Sequence, residues 1–350
     1  MSYNNISMVM YGYCTRYPEL QRLVDFTFRG SNATGLNIFI DATDILYKIS
    51  QYIKKTDEYI GNCNVLVSGL INIAAHYRSF FASRYQCHTK IWIVYSKENV
   101  IGKKYHGQFD YRIKSSSLEK TLYEQAIYMA ADICKLIPDV DVQVTIADFL
   151  TKSLGILKYE KATNPSIFIT KDEFNYQVCM YDKMYVLRPK KKISGEDISA
   201  LIHTNAVDYF IADISKSQIK SISGISNTLI HPIMALSRVP SRNLRSVYRI
   251  QQTVSTILDA INRQVISQSY PWDINKFFES LALDKKRRES INILIERFKA
   301  CDVVNTQLLA YECTAEYLTY NGIVNVYDPN GAKAINEEYF KECPLNLEAF

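Results

Sequence analysis

The sequence predicts an α/β protein with a doubly wound, mostly parallel sheet, followed by a mainly helical region. Short apolar runs of strand length occur at 36–40, 90–95 and 166–170, and stretches with helical spacing lie between them. Strands that alternate with helices need crossover connections, and such connections build parallel sheets covered on both faces. Beyond the basic run at 188–192 the pattern becomes mainly helical.

The elements follow one another in a regular order along the first half of the chain. The first strand, 36–40, ends at Asp41, and a later strand has apolar residues alternating at 142, 144 and 146. Helices are predicted over 58–85, over 117–136 and from Asp148 onward. The β-type runs at 176–181 and 184–187 predict a hairpin or edge strands joined by a turn at Asp182 and Lys183.

The second half predicts helices from about 195 to 300 and a C-terminal tail after Tyr320. We therefore expect two parts, an α/β domain over 1–192 and a helical region over 193–350. No internal repeat divides either part.

Composition excludes several classes of protein. The 350 residues carry 41 Lys+Arg against 36 Asp+Glu, a net charge of +5, with 47% hydrophobic residues, so disordered and collagen-like chains are excluded. No apolar run approaches the roughly 20 residues of a membrane-spanning helix, and the N-terminus lacks the pattern of a secretory signal.

The eight cysteines are scattered without a C-x-x-C pair, which favours free thiols and argues against zinc. We expect a cytoplasmic protein without membrane contact, and the composition fits an AT-rich genome such as a viral one, hence an infected host cell.

Four acidic residues occupy positions where ligands collect in parallel sheets. Asp41 and Asp172 follow two of the predicted strands, Asp148 opens a helix, and Asp213 follows an apolar run. Ligands bind beyond the carboxyl ends of parallel strands, and crowded carboxylates need a hard cation. The four residues together predict a Mg²⁺ or Mn²⁺ site.

Each of these residues also has an ordinary structural interpretation. Asp148 by itself is more typical of a helix N-cap than of a metal ligand. Asp213, like Asp44, also fits a helix start or a turn. Only the joint placement at strand ends favours the metal site.

The order of these segments resembles that of the PIN-like and 5′-nuclease superfamily, which includes flap endonucleases and 5′–3′ exonuclease domains. The resemblance is carried by NIFIDATDILYKI, TKIWIVYS, YHGQFDYRIK, VTIADFLTKSLG and PSIFITKDEFNYQV. The segment VDYFIADISKSQIKSISGISNTLI is more faintly similar to the last acidic motif and the helix-hairpin-helix of those enzymes. The resemblance covers about 36–235, and none of these motifs is specific by itself.

The resemblance implies catalytic, metal-holding roles for Asp41, Asp148, Asp172 and Asp213, and it matches Gln177 to a common Gln of the family. It also implies losses, because the family carries further carboxylates where this chain has Ser96, Phe149, Phe174 and Ser217. Two-metal hydrolysis needs enough carboxylates to hold two ions close together. The resemblance implies a metal-dependent hydrolysis of DNA or RNA. The missing carboxylates imply that this activity is divergent.

Two surfaces are predicted to contact nucleic acid, with DNA preferred over RNA. The first interleaves cations with aromatic rings, the combination that single-strand binding uses, and in the family the equivalent segment forms an arch over the substrate. Its members are Lys103, Lys104, Tyr105, Tyr111, Arg112 and Lys114. The second comprises Gly224, in a degenerate helix-hairpin-helix, with Arg242 and Arg245. A solvated loop and an ordinary turn are the alternatives.

Two further functions remain open from the sequence. A nuclease-fold protein that binds nucleic acid without cutting it explains the lost carboxylates as well as a nuclease does. A structural or assembly protein with protein partners, in a phage or another virus, is the other alternative.

Overall fold

The computed structural model of the chain describes residues 35–56, 63–85, 88–96, 117–145, 148–160, 162–193, 196–215, 225–242, 244–267 and 273–302. Within these ranges six strands form one sheet in the order β3-β2-β1-β4-β5-β6. The strands are β1 (Gly35–Asp41), β2 (His88–Ser96), β3 (Val140–Thr145), β4 (Ser166–Ile169), β5 (Met184–Ile193) and β6 (Glu196–Ile202). All pairings from β3 to β5 are parallel, and β6 runs antiparallel to β5. The predicted mostly parallel sheet is confirmed.

The two faces of the sheet bury different side chains of the same strand. Ile38 and Ile40 pack into a core with α1 (Ala42–Thr56), α2 (Cys63–Tyr85) and α3 (Ser117–Cys134). Phe39 points to the other face, as the alternation of a strand requires. There its ring stacks between Trp92 of β2, at a centroid distance of 4.8 Å, and Phe168 of β4, at 5.2 Å.

The helices on the Phe39 face come mostly from the second half of the chain. They are α4 (Phe149–Tyr159), α5 (Ala206–Ser215), α6 (Ile230–Leu236), α7 (Ile250–Asn262), α8 (Ile274–Glu279), α9 (Lys285–Arg288) and α10 (Ile291–Cys301). All of them except α9 bury apolar residues in one cluster with Phe39 and Phe168. The predicted helical region thus covers one face of the sheet. No helix in the described ranges is long and apolar enough to span a membrane.

Two predicted elements differ from the structure. The run at 176–181 lies largely in a 3-10 helix (Glu173–Met180) rather than in a strand. Its residues from Glu173 to Cys179 are all buried, and uniform burial produces an apolar run whatever the backbone conformation. The chain at 196–202, predicted to be helical, forms the edge strand β6. Its antiparallel pairing with β5 depends on a tertiary contact that a short run does not reveal.

Candidate functional site

The carboxyl ends of β1 and β4 bring Asp41 and Asp172 to the same edge of the sheet. Asp41 is the last residue of β1, and Thr170 directly follows β4 in the neighbouring parallel register. The fully buried Thr170 hydroxyl donates to Asp41 Oδ2 at 3.1 Å and accepts from the Asp172 N–H, also at 3.1 Å. Thr170 therefore fixes both acidic residues relative to the sheet.

A second polar side chain contacts the same hydroxyl. Asn175, which is 1% exposed, donates from Nδ2 to Thr170 Oγ1 at 3.0 Å. Among the described residues, its amide oxygen Oδ1 has no hydrogen-bond partner. Asp172 caps the 3-10 helix that carries Asn175 by accepting from the Phe174 N–H at 2.9 Å. The edge thus holds two carboxylates and one unsatisfied buried amide oxygen.

At this edge Asp41 is buried and Asp172 is half-buried, and both lie close to further acidic side chains. Burial, and then the nearby charge of Asp44, raise the pKa of Asp41 to about 7. Burial and the charge of Glu173 raise the pKa of Asp172 well above its ordinary value, and Asp41 adds to that shift. In the described part of the chain, no basic side chain forms an ion pair with Asp41. We call Asp41, Asp172 and their neighbours Asp44 and Glu173 the acidic edge.

Asp213 lies in a different environment. On α5, its Oδ1 is paired with Nη1 of Arg188 from β5, and its Oδ2 accepts from the Tyr176 hydroxyl at 2.5 Å. Its side chain is 1% exposed and that of Arg188 is fully buried. The Arg188 guanidinium also lies 5.2 Å from the centre of the Tyr209 ring. We call Arg188, Asp213 and Tyr176 the arginine cluster, and both oxygens of its carboxylate are engaged inside the protein.

Asp148 has the role that its alternative interpretation predicted. It is the N-cap of α4 and accepts from the backbone N–H and the hydroxyl of Thr151, both at 3.0 Å. The neighbouring Phe149, where the family has a carboxylate, is buried in the core. The local geometry at Asp148 is therefore that of a helix cap.

Two other positions at which the resemblance implied a carboxylate, and the position matched to a common Gln, are also part of the framework in the described residues. Phe174 is buried in the core on the Phe39 face. The backbone N–H of Ser96 donates a hydrogen bond to the Thr43 hydroxyl at 3.1 Å. Gln177 is fully buried, with Oε1 3.2 Å from Nε2 of His231, a histidine whose pKa burial lowers to about 3. These residues serve packing and internal hydrogen bonding.

The structure brings together only part of the predicted quartet. Asp41 and Asp172 share the acidic edge, whereas Asp148 caps α4 and Asp213 belongs to the arginine cluster. Among the described residues, no three His, Cys, Asp or Glu side chains are grouped so that they could hold a metal ion.

Sequence reasoning missed Thr170, Asn175 and Arg188. Arg188 had one available signal: it continues the alternation of β5 two residues after the buried Val186, so it lies on the same face. Thr170 and Asn175 had no signal that separates them from ordinary polar residues.

Most of the predicted nucleic-acid contacts lie outside the described residues, namely Lys103, Lys104, Tyr105, Tyr111, Arg112, Lys114 and Gly224. Arg242 ends a short 3-10 helix (Pro240–Arg242), and Arg245 is exposed.

The mostly parallel sheet with helices on both faces is a PIN-like, 5′-nuclease fold. Solved structures from bacteriophage T5 are among those with a similar fold. A bacteriophage T5 protein crystallised with metal ions matches 80% of this chain and 93% of its own, with a TM-score of 0.50 and 11% identity. The T5 flap endonuclease in a pseudo-enzyme-product complex with DNA and metal ions, and the T5 5′-exonuclease with bound zinc, match with the same coverage and TM-score at 12% identity. In sequence, the chain matches no family model and no curated protein significantly. The likeness establishes the fold.

Proposed function

We propose that the chain is a divergent metal-dependent phosphodiesterase that acts on nucleic acid, with DNA preferred over RNA. The observation that carries this proposal is the acidic edge, where burial and neighbouring carboxylates raise the pKa of both Asp41 and Asp172. Solved structures with the same fold contain DNA and metal ions, which supports the proposal. The scattered cysteines support a cytoplasmic location, and those described, Cys63, Cys134, Cys179 and Cys301, are free thiols.

The chemistry of the acidic edge suits one hard cation. Carboxylate and amide oxygens are the donors that Mg²⁺ and Mn²⁺ prefer, and the edge offers Asp41, Asp172 and the unsatisfied Oδ1 of Asn175. A bound Mg²⁺ or Mn²⁺ would supply charge stabilisation and a water of lowered pKa. Thr170 orients the Asp41 carboxylate through its hydroxyl, and the cap at Asp172 orients the second one.

The predicted ligand roles of Asp148 and Asp213 remain part of the hypothesis. Each has internal partners in the structure, Thr151 for Asp148 and Arg188 with Tyr176 for Asp213. Ligation by either residue would require those contacts to break. The acidic edge is therefore the part of the predicted quartet that we propose as the metal-holding group.

A second candidate function is binding of nucleic acid without hydrolysis. The specific observation in its favour is that the arginine cluster neutralises Asp213 internally. In addition, Phe174 stands where the family has another carboxylate, and it is buried in the core. Hydrolysis with two ions needs carboxylates that this arrangement does not leave available. On this hypothesis the fold is kept for its binding surface.

One assay separates these functions. The purified chain and its Asp172→Asn variant are incubated with 5′-flap, duplex and single-stranded DNA and with single-stranded RNA, in Mg²⁺ or Mn²⁺ at low salt. Asp132→Asn is the matched control. Asp132 is an exposed carboxylate near the C-terminal end of α3, and it is paired with Lys135.

Cleavage that Asp172→Asn abolishes and Asp132→Asn preserves would support the phosphodiesterase. Binding without cleavage by the wild-type chain would establish the second candidate. Neither binding nor cleavage would refute both functions and favour the structural or assembly protein.

A further inference from the structure

The last described helix, α10, carries two buried charged side chains whose contacts lead toward the acidic edge. Arg297 lies in the second half of this helix, and Asp302 is its C-cap. Both side chains are buried. A charged group in a core is costly unless hydrogen bonds or an opposite charge compensate it. The partners of Arg297 and Asp302 are therefore part of the reason why α10 is held where it is.

Asp302 reaches the acidic edge through a buried histidine. Its Oδ1 lies 3.1 Å from Nδ1 of His231, which is fully buried on α6. On the other side of the ring, His231 Nε2 lies 3.2 Å from Oε1 of Gln177. Gln177 donates from Nε2 to the Phe174 carbonyl at 2.9 Å, and the Phe174 N–H donates to Asp172 at 2.9 Å. We call this series of contacts, from Asp302 to Asp172, the histidine path.

The groups along the histidine path fix one another's orientation. A carbonyl oxygen only accepts hydrogen bonds, so the contact with the Phe174 carbonyl turns the Gln177 amide with Oε1 toward the ring. His231 Nε2 then carries the proton that this oxygen accepts. A proton between Nδ1 and Asp302, on either atom, completes the path. The ring is thus held from both sides.

Arg297 holds a turn of the chain closed. Val239 and Leu244 form an antiparallel bridge, with reciprocal hydrogen bonds of 3.2 and 3.1 Å. Just outside this bridge, Arg297 donates from a single nitrogen, Nη2, to the carbonyl oxygens of Ser237 at 3.0 Å and Arg245 at 2.7 Å. The two arms of the turn are therefore joined by the bridge and by one buried guanidinium.

The same turn contacts the acidic edge. Ser241, which lies between the bridged residues, donates its N–H to Oε1 of the buried Glu173 at 3.2 Å. Glu173 is the first residue of the 3-10 helix that Asp172 caps. We call the contacts from Arg297 to Glu173 the turn path. The histidine path and the turn path thus leave α10 at different residues and meet in the first turn of one 3-10 helix.

We propose that α10 positions the acidic edge for metal binding, with Arg297, Asp302 and His231 as positioning residues. The inference rests on the proposed function and adds to it the residues that keep the metal-holding carboxylates in place. The hydrogen bonds of a 3-10 helix have poorer geometry than those of an α-helix, so contacts from other elements matter more for its position. Groups that orient the ligands of a metal without touching the ion contribute to metal affinity.

The test measures Mn²⁺ affinity in variants that interrupt each path. Asp302→Ala removes the carboxylate that faces His231. Arg297→Met removes the guanidinium and keeps an unbranched side chain. Leu294→Ala is the matched control, because Leu294 is a buried residue of the same helix that takes part in neither path. Calorimetric titration with Mn²⁺ gives the dissociation constant, and circular dichroism and urea denaturation give the folding and stability of each variant.

We expect Asp302→Ala and Arg297→Met each to raise the Mn²⁺ dissociation constant at least about threefold. This is less than the roughly 10–100-fold effect of a direct partner of a ligand, because further groups lie between. Leu294→Ala should lower stability and keep the wild-type constant, since a loss of stability alone does not change the affinity of the folded protein. Asp302→Asn should also keep that constant, because an amide can donate to or accept from the ring nitrogen.

A second measurement needs no variant. Coupling between two sites is reciprocal, so Mn²⁺ bound at the acidic edge should stabilise α10 in the wild-type chain. We expect added Mn²⁺ to slow hydrogen exchange in α10 more than in α3, which packs on the opposite face of the sheet. Exchange in α10 that does not respond to bound Mn²⁺ would overturn the inference.

The titrations separate failure of this inference from failure of the proposed function. If the wild-type chain binds Mn²⁺ and the constant is unchanged in Asp302→Ala and Arg297→Met, or rises equally in Leu294→Ala, the positioning role is wrong and the proposed function stands. If Asp302→Asn weakens binding as much as Asp302→Ala does, the histidine path does not position the edge. If the wild-type chain binds no Mn²⁺, the proposed function fails together with this inference.

Discussion

The acidic edge and the arginine cluster solve the same electrostatic problem in opposite ways. Both bury carboxyl groups against the sheet, yet Asp213 has Arg188 as an internal cation, whereas Asp41 and Asp172 have raised pKa values among neighbouring carboxylates. A buried carboxylate is costly unless a cation or hydrogen bonds compensate it. The comparison teaches that the charge of Asp213 is compensated within the protein, while the acidic edge is the region that a metal ion would stabilise.

The largest expected effect comes from breaking the arginine cluster. Arg188→Met leaves the Asp213 carboxylate buried and without its cation, and we expect a loss of about 3–5 kcal/mol in the free energy of unfolding. Urea denaturation measures it. The double variant Arg188→Met/Asp213→Asn should recover more than half of the loss, since it removes the charge and keeps an oxygen for the Tyr176 hydroxyl. A single-variant loss below about 1 kcal/mol would show that Arg188 does not compensate Asp213.

An effect of opposite sign, and no larger, is expected at the acidic edge. The pKa of Asp41 is about 7 in the folded protein, against about 3.9 in an unfolded chain. A raised carboxyl pKa means that its contribution to stability is fully present below about pH 4 and is lost as the pH rises through about 7. In EDTA, the stability of Asp41→Asn relative to the wild-type chain should therefore rise over this range, by up to about 4 kcal/mol at pH 8.

The measurement is the difference in unfolding free energy between Asp41→Asn and the wild-type chain, taken at intervals from pH 4 to pH 8. Asp132→Asn, at an exposed carboxylate of α3, is the control. A difference for Asp41→Asn that does not change with pH would mean that Asp41 is already compensated, and the contrast between the two regions would disappear. Added Mn²⁺ should stabilise the wild-type chain more than Asp41→Asn at pH 8, since binding to the folded state alone raises stability.

The contrast between the regions also explains what sequence reasoning could and could not find. The strands at 36–40, 90–95 and 166–170 were predictable because each is a short apolar run buried on both faces of a parallel sheet. The meeting of Asp41 and Asp172 followed from the same topology, because carboxyl ends of parallel strands share one edge. Local pattern and chain order suffice for such features.

The arginine cluster depends on contacts that the sequence does not display. Arg188 stands at the start of a basic run that resembles a solvated turn, and only the packing of α5 against β5 brings it to Asp213. The 3-10 helix over 173–180 and the strand β6 were missed for a similar reason: burial on all sides and edge pairing override local propensity.

The smallest expected effect distinguishes a helix cap from a metal ligand at Asp148. Asn caps helices about as well as Asp, so Asp148→Asn should keep the bond from the Thr151 N–H and lower the free energy of unfolding by less than about 0.5 kcal/mol. Calorimetric titration with Mn²⁺ at pH 8 should give the wild-type affinity, whereas Asp172→Asn should weaken it at least tenfold. If Asp148→Asn weakens Mn²⁺ binding as much as Asp172→Asn does, then Asp148 leaves its cap to join the acidic edge, and the metal-holding group is larger than the pair that the structure brings together.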